Sequence, residues 1–258
     1  MRRLLTGFNL LMIAYVVAPI VLVVWMSFTP SMRFEVPLGA FSLRWYRELF
    51  SYDAFIDSAI LSLRLGLVAA LVATAVGFLA AYGVVRGRPP GSGALVALFT
   101  APLIVPAVVY GIAVLQFTNL VGLYGSFTAL LLAHVVIVLP FAMRTLQATL
   151  EGHGPELEWA AMSLGARRRH AVLLVTVPLC LRGMVSAFLF CFLISFSEVT
   201  VTLFMTGPAH QTLPVRIFNY VSDRIDPTMA AVSSLIVLVS VALVLVLNRL
   251  GALGNLRK

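Results

Sequence analysis

Ser195, Glu198 and Thr202 stand at i, i+3 and i+7, so a helix would put them on one face. A carboxylate flanked by two hydroxyls can hold an ammonium group more strongly beside a low-dielectric path than in bulk water. An ionised side chain at mid-bilayer costs on the order of a few kcal/mol, which makes an acidic residue in an apolar run functional by default. Two readings of Glu198 stand open: a group on a polar path, or a boundary residue paired with Arg64 or Arg216. Small polar residues also join helices, and that is the plainer reading of Ser195 and Thr202. Tyr110 follows Pro102 and Pro106 and precedes Gly111, a composition that predicts a kinked or irregular helix. It could line the same path or pack on a neighbouring helix. His134 is placed to hydrogen-bond across a bundle, while His153, His170 and His210 are scattered, so no metal-ligand cluster is expected. Cys180 and Cys191 lack CxxC spacing and read as small packing residues.

A second group of residues is built for contact. Leu157, Ala160, Ala161 and Leu164 recur at i, i+3, i+4 and i+7 and share one face of a short helix. The two alanines leave little bulk, so the backbone can sit deep in a groove. Gly165 is suited to the left-handed conformation that ends a helix, and Arg167 to Arg169 then follow the helix's negative end. A helix lying on lipid headgroups under an arginine cluster is the alternative. Against it, the apolar face is small and Glu156 and Glu158 would be repelled by anionic lipid.

The elements that must position these groups are membrane helices. Of the 258 residues 61% are apolar and 11% charged, against about a quarter charged in soluble domains. Mean hydropathy is +1.03. A spanning helix needs roughly 20 apolar residues. Six stretches qualify, at about 10–28, 65–85, 94–117, 127–143, 184–205 and 229–248. Period-two alternation is absent, which argues against a barrel. With a cytoplasmic N-terminus, 12 of the 18 Lys and Arg residues fall inside: Arg2, Arg3, Arg86, Arg88, Arg144, Arg167, Arg168, Arg169, Arg182, Arg249, Arg257 and Lys258. That bias sets orientation, places both termini in the cytoplasm and accounts for the net charge of +8 without nucleic acid.

The first run is read as an uncleaved signal anchor, because it is longer than a secretory h-region and no small-x-small site follows Phe28. Between the first two spans, Thr29 to Asp57 carries Trp45, Leu49 and Tyr52 at helical spacing, which predicts a helix at the membrane interface. Arg86 to Gly93 reads as a tight turn. No internal repeat stands out, and residues 1–258 read as a single transmembrane domain. No Gly-x-x-x-x-Gly-Lys-Ser/Thr motif or HExxH helix occurs, and the sole lysine is Lys258. The chain therefore supplies no P-loop and no zinc-protease site.

Glu158-x-Ala160-Ala161-x-x-x-Gly165, continued to Val177-Pro178-Leu179, resembles the EAA loop of permease subunits from binding-protein-dependent ABC importers. Leu103 to Gly111, Ser197 to Phe204, Gly207-Pro208 and Thr212 to Val215 are similar to the polyamine (spermidine/putrescine) branch of that family. Related branches handle opine-like compounds, aminoethylphosphonate and ferric iron. One departure stands out: the family usually has glutamate directly before the two alanines, where this chain has Trp159, with Glu158 one position earlier.

The resemblance implies an all-α, type I importer permease with six transmembrane helices and a cytoplasmic coupling loop at about 145–181. It implies that Leu157, Glu158, Trp159, Ala160, Ala161, Leu164 and Gly165 form the coupling helix that docks on an ATPase subunit. ATP and Mg would be bound by that partner, which the resemblance implies in two copies, and no cofactor by this chain. A second permease chain, an external solute-binding protein and membrane lipid complete the implied partners, in a bacterial inner membrane. The alternative is a self-contained secondary transporter or channel, for which Glu198 is the sole good coupling-ion group.

Overall fold

Apolar runs in lipid can satisfy their backbone within one segment only by coiling into helices, and every regular element among the described residues is helical. The structure is a computed structural model that describes residues 2–33, 40–207, 210–223 and 226–252. Arg224, Arg257, Lys258 and Pro208, and positions 34–39 of the link between the first two spans, lie outside the described residues.

The helices are α1 Arg2–Met26, α2 Arg44–Phe50, α3 Asp53–Gly87, α4 Ser92–Thr100, α5 Ala107–Leu120 and α6 Phe127–Glu151. They continue as α7 Glu156–Ser163, α8 Arg168–Ala171, α9 Val177–Ser197, α10 Thr200–Met205, α11 Leu213–Asp223 and α12 Thr228–Ala252. Among the described residues four helical segments are long and apolar enough to cross a membrane, and a fifth if the bent α4–α5 pair counts as one span. The sixth expected span, 229–248, falls within α12, whose Thr228–Ala242 segment is apolar. The exact count of six is not confirmed among the described residues, and two of the expected spans depart from a single unbroken helix.

The third expected span is broken. Pro102 and Pro106 remove two backbone donors, a 3-10 turn fills Ala101–Leu103, and the segments on either side meet at 96°. The fifth is broken too. Helix α9 stops at Ser197, Glu198 is extended with ψ of 126°, and the chain turns into the short α10. At the start of that span the helix runs in from Arg168 through a π turn at Val172–Thr176. Extra helical length also appears in α3, whose 35 residues extend well beyond the expected 65–85.

Two compact units group the described residues: those up to Asp57 with Arg216–Arg249, and Ser58–Val215 with those from Leu250 on. In the first, the buried Trp45 donates its indole N–H to the Thr29 carbonyl at 2.8 Å, and the Tyr46 hydroxyl meets Ser27 Oγ at 2.7 Å. Trp45 and Leu49 are thus buried against the chain. Tyr52, expected on the same face, lies past the end of α2 and is exposed.

In the second unit, α6 is the central post. A Cβ added at Gly183 of α9 would fall 2.2 Å from Thr149 Oγ1, and one at Gly77 of α3 would fall 2.9 Å from Ala142 Cβ. Small residues therefore bring α9 and α3 against α6 nearly backbone to backbone, the usual device for helices in lipid. Two apolar clusters follow along α6. Leu65, Ala129, Leu130, Ala133, Val201 and Met205 pack near its start, and Phe78, Met143, Leu146, Leu150, Cys180 and Ala187 near its end. Cys180 and Cys191 are buried free thiols, as packing residues should be. The turn after α3 is tight, with Arg88 and Gly91 both at positive φ.

Candidate functional site

The loop between α6 and α9 is held by the end of α3. Tyr82 and Arg86 are one helical turn apart there, so both side chains emerge on the same face. Tyr82 donates its phenol hydrogen to Glu158 Oε1 at 2.5 Å, and Thr176, the last residue of the π turn, donates to Oε2 at 2.9 Å. Arg86 adds a charge contact, Nε to Oε2, at 3.8 Å. Its guanidinium also donates to the carbonyl of His153 at 2.5 Å, at the entrance to α7. Glu158 is only 6% exposed. A buried carboxylate stripped of a partner costs about 3–5 kcal/mol, so this one is firmly committed to the chain's own helices.

With Glu158 facing inward, the rest of α7 faces out. Leu157 is 57% exposed, Trp159 59% and Leu164 90%; Ala160 is exposed and Ala161 half-buried. Three large apolar side chains on one helical turn and its end make a surface that water does not favour. The helix closes with a left-handed glycine. Gly165 has φ of +93°, its N–H bonds the Met162 carbonyl at 2.9 Å, and the Ala166 N–H bonds Ala161 at 3.1 Å. This paired set is the Schellman stop, which favours a residue without Cβ at that position.

Glu198, Ser195, Thr202 and Tyr110 come together differently from the expectation of one continuous face. The Glu198 carboxylate accepts the backbone N–H groups of Val201 at 3.0 Å and Thr202 at 2.9 Å, and the Thr202 hydroxyl at 2.8 Å. It caps the otherwise unsatisfied first turn of α10, where a negative charge is favoured. Both alternatives weighed for Glu198 overlooked this third role. His134, buried in α6, bridges the break: Nδ1 lies 2.7 Å from Ser195 Oγ and Nε2 lies 2.9 Å from Thr202 Oγ1. Ser195 and Thr202 are therefore joined through His134, one from each half of the broken span. Tyr110 donates to the Ala133 carbonyl at 3.1 Å, fixing α5 on α6. Beside it, Gly111 admits the Phe204 ring of α10, which would lie 2.6 Å from an added Cβ.

The family model described as binding-protein-dependent transport system inner membrane component matches residues 73–253, the stretch that holds both sites. The chain belongs to this family. It is 33% identical over 92% of its length to the spermidine/putrescine transport system permease protein PotC of Haemophilus influenzae, covering 92% of that protein. To the putrescine transport system permease protein PotI of Escherichia coli it is 32% identical, over 90% of this chain and 83% of that one. Among solved structures, a bacterial ABC transporter involved in import of the acidic polysaccharide alginate matches with a TM-score of 0.72 at 12% identity, covering 97% and 96% of the two chains. The MetNI methionine ABC transporter matches at 0.63 and 17%, over 76% and 92%. The fold is thus that of ABC importer permeases, and the protein is a multi-pass membrane permease subunit of such an importer. A self-contained secondary transporter or channel finds no support in these likenesses.

Tyr82, Arg86 and Thr176 were missed by sequence reasoning, although one signal was available. The phenol and guanidinium stand at i, i+4 at the very end of a span, where polar groups must find a partner or reach water.

Proposed function

We propose that this permease forms half of a translocation pathway with a second, different permease chain and takes polyamine-like solutes from an external binding protein. Its work comes from a separate ATPase subunit, in two copies per transporter, which binds ATP and Mg. Both termini lie in the cytoplasm, on the same side as α7. Helix α7 is the coupling helix, with Leu157, Trp159, Ala160 and Leu164 entering the ATPase surface, Ala161 at its edge and Gly165 setting its length.

The observation that carries this reading is the two-sided character of α7. One acidic side chain is locked inward by three partners, and an unpartnered apolar face points away from the chain. Trp159, where the family usually has glutamate, makes that outward contact aromatic. The names of the relatives in PotC and PotI support a polyamine as the solute. Glu198, half-buried within its cap, is the acidic group we assign to the path, together with Tyr110, Ser195 and Thr202.

Reconstitution tests the proposal. Proteoliposomes holding the permease pair and ATPase should take up labelled spermidine or putrescine only with ATP inside and binding protein outside. Uptake by this chain alone, driven by an ion gradient, would overturn it.

A further inference from the structure

The end of α3 holds the coupling loop at its entrance, at α7 and at its exit. Arg86 holds its entrance through the His153 and Gly154 carbonyls, the latter at 3.4 Å. Tyr82 holds its helix through Glu158, and the Arg168 guanidinium, where the chain leaves the loop, stands 5.9 Å over the Tyr82 ring. Thr176 ties the same carboxylate to the π turn that opens the next membrane helix. These contacts are internal to the permease, and none is needed to make α3 a membrane helix, since its apolar length does that. A loop that only had to dock on a partner would not need a buried charge tied to two membrane helices.

We infer that Tyr82 and Arg86 are positioning residues for coupling: through Glu158 they make α7 and the end of α3 move as one body. Displacement of α7 then reaches the membrane helices directly and is not absorbed in the loop. The inference rests on the reading of α7 as the coupling helix. A hydroxyl and a carboxylate at hydrogen-bond distance resist separation more sharply than apolar contacts do, because parting them strips the buried Glu158 carboxylate of one of its partners. Arg86 keeps its charge on the carboxylate at 3.8 Å while bonding the loop backbone, so α7 is held against both rotation and lift.

The test uses the assembled transporter, with spin labels on cysteines at Gly83 and Ser163, in a background lacking Cys180 and Cys191. The label distance should be the same without nucleotide and with ATP trapped. Tyr82→Phe removes one oxygen and should broaden that distance. Hydrolysis stimulated by spermidine-loaded binding protein should fall about fivefold, the equilibrium factor of a typical single hydrogen bond. Glu158→Gln should do the same, and the double variant should be no worse than the worse single, because both act through one contact. A merely structural contact would lower the yield of assembled complex and leave the distance and stimulation of the assembled fraction alone. A parental distance that changes on trapping ATP, or unchanged distance and stimulation in Tyr82→Phe, overturns the tether. Ala160→Asp separates the two ideas: lost stimulation there with a parental Tyr82→Phe rejects the tether alone. Parental stimulation in Ala160→Asp rejects the coupling-helix reading beneath it.

Discussion

Glu198 holds a break in a membrane helix open by giving the first turn of α10 the acceptors it lacks. Glutamine at this position would exchange one acceptor oxygen for an NH2 group facing backbone donors. Glu198→Gln should therefore lower the thermal stability of the purified complex by about 1 kcal/mol, the usual worth of an N-terminal cap. Thr202→Val should cost more, about 1–3 kcal/mol, because it strips a partner from both His134 Nε2 and Glu198 Oε2 in a buried setting. Thermal unfolding with an intrinsic-fluorescence readout checks both. A parental midpoint for Thr202→Val would show that the His134 bridge contributes nothing. Lost transport at full stability in Glu198→Gln would instead single out its charge on the path.

Helix α7 is short, and its caps decide whether it presents a fixed face. Gly165→Ala places a Cβ at φ of +93°, a left-handed strain of about 1–2 kcal/mol. The last turn should fray, and trypsin should cut at Arg167 to Arg169 faster in inverted membrane vesicles, with membrane insertion unchanged. Equal cleavage rates would mean that Arg88-like strain is tolerated at this site as well. Element identity was largely legible in the sequence: the apolar runs named the membrane helices, the i, i+3, i+4, i+7 pattern named α7, and Gly165 named its end. The proline pair foretold the break between α4 and α5. The break at Glu198 was not legible, because its cap is made by a glutamate three and four residues before the donors it satisfies, a spacing that also fits an uninterrupted helix. Nor was the inward turn of Glu158, since its partners Tyr82 and Thr176 lie 76 and 18 residues away in the chain.

At the scale of the molecule, the proposed orientation rests on charge placement, and the proposed work of the α3 grip is to carry motion. Single cysteines at Ser92 and Ser163 should be shielded from an impermeant thiol reagent outside intact cells, while one at Ser222 should react. Labelling at Ser163 would place α7 on the wrong side for an ATPase. The most direct measurement is coupled transport by Ala160→Asp. Ala160 is exposed on α7, so the chain should insert and fold, but docking would bury an unpaired carboxylate in the partner's groove. Reconstituted transporter carrying this change should lose ATP hydrolysis stimulated by loaded binding protein, together with solute uptake. Parental rates of both would contradict the account of α7 as the element through which the ATPase drives this permease.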